Sequence, residues 1–148
     1  MGFEYPPVGF HFSVVFELFP QLPNDFRFQS VEGLTVDVET EDFKEGGENR
    51  FVHKLPKRTK YHDIVLKRGM FLGSGIVLWC RNAIESFNFQ PTNVIITLLN
   101  EDHAPLAAWY VVNAFPISWS VSDFNAEQNK LVIESIKLRY NYFKTLRV

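Results

Sequence analysis

The residues that could do chemistry are few, and their spacing does not suit it. The four histidines are His11, His53, His62 and His103. None sits in an HExxH-type pair, and the nearest two, His53 and His62, are separated by eight residues. No GxSxG elbow presents a nucleophilic serine. The single cysteine, Cys80, can close neither an intramolecular disulfide nor a Cys-rich zinc cage. It also falls on an apolar helical stripe, where it suits a small buried hydrophobe better than a nucleophile. The glycines between Gly69 and Gly75 lack the Lys-Ser/Thr pair of a phosphate loop. Asp37, Glu39 and Glu41 share one strand face that could take a hard cation, but no partner ligands or glycine turn accompany them, so they read as a wetted face. These residues predict no catalytic group, no cofactor and no metal.

Charge is more telling than chemistry. The net charge of −2 argues against a dedicated nucleic-acid binder, which needs a basic face. The charges are nonetheless segregated. Residues 32–48 carry seven acids against Lys44 alone, and residues 50–68 carry seven bases against Asp63 alone. Either these are solvated faces, or one block meets the opposite block of a neighbouring copy.

The elements that would position these groups are mostly strands. The 148 residues, 46% of them hydrophobic, suit a single domain, 1–148, with no linker or internal repeat. No apolar run approaches the roughly 20 residues of a membrane span. The N-terminus lacks the basic and apolar regions of a signal peptide, so synthesis in the cytoplasm without a leader is expected. Alternation of period two marks strands at Phe10–Phe16, Phe26–Gln29, Leu34–Glu41 and Ile64–Lys67, with Gly33 a bend between the second and third. Further strands follow at Val94–Leu99 (apolar on both faces, so expected buried on both), Leu106–Val112 and Phe115–Val121, and a last run starts at Leu131. One segment switches period: Ile76, Trp79, Cys80, Ala83, Ile84 and Phe87 form one stripe of a helix over 74–87, with Ser74 as N-cap and Pro91 beyond its end. Gly46-Gly47 and Pro56 break the pattern between 42 and 60, which reads as an extended loop. The predicted fold class is mainly β: two packed antiparallel sheets, as a sandwich or barrel, with one flanking α-helix. Trp79, Phe115 and Trp119 are the expected structural core.

Several words of the sequence occur together in one order. They are Val31-Glu32-Gly33-Leu34, the acidic strand Val36 to Glu41, Glu45-Gly46-Gly47-Glu48-Asn49, Lys54-Leu55-Pro56 and Ile64 to Gly69. Trp79 in the helix, Asn113-Ala114-Phe115-Pro116, Phe124-Asn125-Ala126 and Val132 to Leu138 complete the series. In these the chain resembles the tube proteins of contractile phage tails and of phage-tail-like contractile injection systems, relatives of the ring protein of type VI secretion. The resemblance runs from about residue 10 to 142.

It implies a structural subunit forming hexameric rings that stack into a rigid inner tube, driven through a target membrane by a contracting sheath. The implied partners are other copies of the chain, the sheath, baseplate or spike and tube-terminator proteins, with payload or DNA in the lumen. The extended loop would touch neighbouring subunits, so the expected interface residues are Glu45, Gly46, Gly47, Glu48, Asn49, Arg50, Lys54, Pro56, Lys57 and Arg58. The implied place is an assembled particle or tail, extracellular after release. Phage tail and injection particle stay open, as does a baseplate-proximal tube-initiator paralogue. Two readings compete from other classes: a monomeric β-barrel holding a small apolar ligand, and a metal-assisted hydrolase using the acids of 37–41.

Overall fold

The computed structural model describes residues 11–18, 20, 25–43, 53–70, 72–122 and 132–147, with Arg147 described by its backbone only. The elements run β1 (His11–Phe16), β2 (Arg27–Phe28), β3 (Ser30–Glu32), β4 (Val36–Phe43), β5 (His53–Tyr61), β6 (Ile64–Gly69) and α1 (Gly75–Ser86). They continue with β7 (Thr92–Leu99), β8 (Pro105–Val121), β9 (Ile133–Arg139) and β10 (Tyr142–Arg147). The chain is mainly β, and every strand pair is antiparallel.

Eight strands form one sheet in the order β2-β1-β7-β8-β9-β6-β3, with β10 also on β8. The long strand β8 holds it together. Its first half pairs with β7 and β10 and its second half with β9. The two halves share one core: Val14, Phe16, Val94 and Ile96 from one side meet Ile64, Leu66, Ile136 and Leu138 from the other. Alternate residues of β6, β7 and β9 are buried, as period-two patterning requires. Among the described residues the strand pairing does not close into a barrel.

Four expectations need correction. The strands expected at 106–112 and 115–121 are one strand, because Asn113 adopts a left-handed φ of 56° and absorbs the irregularity as a bulge instead of a break. β7 is fully buried on one face only; Asn93, Ile95 and Thr97 are half-covered on the other. The helix buries Ile76, Trp79, Cys80 and Ala83, but Ile84 and Phe87 are exposed. The fourth concerns the loop expected at 42–60, of which 42–43 and 53–60 are strand. β5 pairs along its length with β4 as a separate two-stranded sheet.

The helix starts and stops where its ends are satisfied. Ser74 Oγ accepts from the Val77 N–H (3.1 Å), and the chain leaves α1 through Phe87 at φ 51°, with Asn88 N–H donating to the Asn82 carbonyl (3.0 Å). Trp79, 5% exposed, packs edge-on against Phe16 and donates from Nε1 to the Gln90 carbonyl (2.8 Å). Trp119 is partly buried against the core, whereas Phe115 lies half-buried outside it, edge-on to Phe89.

Candidate assembly surface

Two features stand apart from an ordinary β core: a hairpin arm whose strands, among the described residues, pair only with each other, and a buried ionic cluster that braces the helix. The arm is β4 with β5. Nearly all its residues are exposed on both faces, including the apolar Val36, Val38, Phe43 and Leu55. Its acids and bases meet across the ladder: Lys54 bonds to Asp42, Arg58 Nε to Glu39 (3.1 Å), and His62 Nε2 to Asp37 (2.7 Å). The segregated blocks therefore pair within one chain at these positions, a third arrangement beside the solvated faces and the neighbour contact expected from the sequence.

The structure sorts the expected interface residues. Lys54, Pro56, Lys57 and Arg58 lie on β5, all exposed. Pro56 sits opposite Thr40 while Arg58 sits opposite Glu39, so Lys57 is an extra residue at a bulge. That bulge is where a residue without an N–H fits a ladder. Glu45, Gly46, Gly47, Glu48, Asn49 and Arg50 lie outside the described residues.

The root of the arm is rigid. Gly33 has φ 92°, and a Cβ there would stand 2.0 Å from the Asp63 carbonyl oxygen. Only glycine lets the β3–β4 connection pass so close. Asp63 is gripped by Arg139 through two bonds of 3.1 Å, which hold its carboxyl below the usual carboxylate range. Tyr140 donates to the His62 carbonyl (2.6 Å), and Tyr61 packs edge-on against Tyr140 and Phe143. Burial above all, with Asp63 and Tyr61 adding, pushes the Tyr140 hydroxyl up to about 12, so it remains a donor throughout the neutral range.

The second feature centres on Arg68, which the sequence assigns to the basic block but which is buried. Its Nε bonds Glu134 (2.6 Å), Nη1 bonds Asp25 Oδ1 (2.9 Å) and the Asp25 carbonyl (2.5 Å), and Nη2 bonds Ser74 Oγ (2.8 Å). The guanidinium also lies 4.5 Å from the centre of the Phe28 ring. Asp25 Oδ2 accepts from the Gly75 N–H (2.9 Å), placing a carboxylate at the positive end of α1. One cluster thus ties the turn before β2, β6, β9 and the helix start. Sequence reasoning missed Asp25 and Glu134; the only signal was a glutamate on the inward-facing side of an alternating strand. Glu134 Oε2 and Trp119 Nε1 are buried without hydrogen-bond partners among the described residues. Both line a groove of about 580 Å³ beside the start of α1, rimmed by Met70, Leu72 and Leu78.

The catalytic inventory is thin. Burial, reinforced by Glu134, pushes the Cys80 thiol up to about 12, so it stays protonated and unreactive at neutral pH. Among the described residues no three His, Cys, Asp or Glu side chains form a metal-holding group, and no helix is long and apolar enough to cross a membrane.

Comparison with known proteins supplies the context. One chain of the anti-feeding prophage baseplate superposes with a TM-score of 0.81 at 30% identity, covering 100% of this chain and 99% of that one. A chain of the PVC sheath-tube complex, an extracellular contractile injection system in its extended state, gives 0.72 at 29% identity, with 98% and 94% covered. Hcp1 from Flavobacterium johnsoniae shares the fold alone, with a TM-score of 0.54 at 11% identity and 93% and 96% covered. No curated protein matches the chain. The family model of the T4-like virus tail tube protein gp19 matches residues 8–144, and the chain belongs to that tail tube family.

Proposed function

We propose that this tail tube protein assembles through its β4–β5 arm into hexameric rings that stack as the inner tube of a contractile injection system. The observation that carries this reading is the arm itself. An isolated two-stranded hairpin is marginally stable in water, yet this one projects from a rigid root with apolar residues exposed on it. Such an arm gains its cover from other copies. Relatives near 30% identity come from a sheath-tube complex and a baseplate, which supports sheath, baseplate and terminator proteins as further partners and a purely structural, non-enzymatic role. Payload or DNA would occupy the lumen, and the particle would act outside the cell that made it.

Light scattering after size exclusion, with negative-stain microscopy of concentrated protein, tests the assembly. Rings or tubes are expected. A sharp peak near 17.2 kDa at every concentration would exclude it. Val38→Asp, at an exposed arm position, should lower ring yield while the subunit's melting temperature stays unchanged.

The superposition on the baseplate chain, higher than that on the sheath-tube chain, favours a second reading: a tube initiator seated next to the baseplate. An initiator forms single rings alone and tubes only with a second tube protein, whereas a main tube subunit elongates unaided.

A further inference from the structure

At the start of β1 and in the β7–β8 turn, two histidines distant in sequence come together. His11 opens β1 opposite Leu99 of β7. His103 lies in the β7–β8 turn, where Asn100 Oδ1 accepts from the Asp102 N–H (2.8 Å) and the Ala104 N–H (2.9 Å). Backbone bonds from His103 N–H to the Asn100 carbonyl (2.9 Å) and from Asn100 N–H to the Ala104 carbonyl (3.0 Å) close the turn. The turn holds His103 at a left-handed φ of 63°. His11 Nε2 and His103 Nδ1 are then 2.8 Å apart, the rings 4.7 Å between centres and nearly perpendicular.

We propose that His11 Nε2 and His103 Nδ1 form a two-imidazole site for a first-row transition-metal ion such as Zn²⁺, Ni²⁺ or Cu²⁺. Metal–imidazole bonds are about 2.0–2.1 Å long, so two nitrogens on one ion stand roughly 2.9–3.4 Å apart between right-angled and tetrahedral arrangements. The nitrogens need to part by only a few tenths of an ångström, and each ring has to turn so that both lone pairs aim at the ion instead of at each other. Both rings are carried by rigid backbone, one on a paired strand and one on a closed turn, so little order has to be gained on binding. Arg27 of β2 opposes the incoming charge, while Glu101 and Asp102 on the turn favour it. The proton shared between the rings moves to the donor ring's other nitrogen, so binding to the neutral pair releases none. Water fills the remaining positions, and the ion staples the start of β1 to the β7–β8 turn.

Calorimetric titration and thermal melts of the full chain in metal-free buffer at about pH 7.5 test the site, with zinc, nickel, copper and magnesium salts. Saturable binding of one ion per chain is expected, with a rise in melting temperature that is largest for copper and absent for magnesium. His103→Asn keeps the left-handed turn accessible and should weaken binding by roughly ten-fold or more, as should His11→Gln. The double variant His53→Gln with His62→Gln should bind as the wild type does. No saturable heat with zinc, nickel or copper, or equal binding by His103→Asn, would overturn the proposal.

Discussion

The arm and the Arg68 cluster are both built from carboxylates facing bases, yet they do opposite jobs. Along β4 and β5 the pairs are solvated: Lys54 and Asp42 each keep more than half of their side chain in water. Exposed pairs contribute about 0–1 kcal/mol each, since water screens the attraction and two long side chains lose freedom. Around Arg68 the same chemistry is dry, with the guanidinium 4% exposed and both carboxylates at or below 1%. There the cluster itself is weak evidence of stability, because desolvation offsets the attraction, but removing one member strands buried charge. An ion pair's worth is thus set by its surroundings more than by its partners. Losing charges is expected to cost the fold little in the first region and much in the second.

The sharpest way to break this contrast is Arg68→Met. It leaves Asp25 and Glu134 buried with no cation between them, and a loss of about 3–5 kcal/mol is expected in urea unfolding. A wild-type midpoint would mean that water already reaches the cluster. Trp79→Ala should cost a similar 3–5 kcal/mol by opening the core beneath α1, and an unchanged melt would show that the helix is not anchored by this ring. Gly33→Ala comes next. The added Cβ meets the Asp63 carbonyl at a left-handed φ, so a loss of about 1–3 kcal/mol is expected, together with a displaced arm detectable as altered amide exchange across β4 and β5. On the arm, Arg58→Glu places two acids together at Glu39 and should move subunit stability by less than about 1 kcal/mol, while ring yield falls and its salt dependence shifts. Equal losses of stability for Arg58→Glu and Arg68→Met would erase the distinction between the two regions.

The smallest effect concerns pH. Arg139 depresses the Asp63 pKa, so this pair's contribution is fully present above the ordinary carboxylate pKa of 3.8 and is lost as pH falls through the lowered folded value. Asp63→Asn should therefore narrow its stability deficit against the wild type as acid is added. A deficit constant down to the lowest folded pH would show that the bidentate contact is not formed in solution.

The sequence by itself determined the strands with one buried face. Val14 and Phe16, Ile64 and Leu66, and Ile136 and Leu138 are legible because alternation records which side meets water. It determined the helix as well, since Ile76, Trp79, Cys80 and Ala83 repeat at helical spacing behind a serine cap. It carried the tail tube resemblance too, through words spread along nearly the whole chain. β5 escaped that reading for a physical reason: its residues, His53–Tyr61, are nearly all exposed and carry no apolar alternation, and Pro56 argued against a ladder that a bulge at Lys57 in fact accommodates. Only the tertiary structure decided what the charged residues do. Arg68 stands among six other bases in the block 50–68, and although alternation puts it on the same face of β6 as Ile64 and Leu66, nothing local names the partners it meets there. Its burial follows from the pairing of β6 with β9, which sets Arg68 opposite Glu134, and from the turn that brings Asp25 to the helix start. His11 and His103 likewise became neighbours only when β1 paired with β7 and a closed turn aimed one ring at the other. Contacts between residues far apart in the chain leave no local period to read, because they are chosen by which strands pair and in what register.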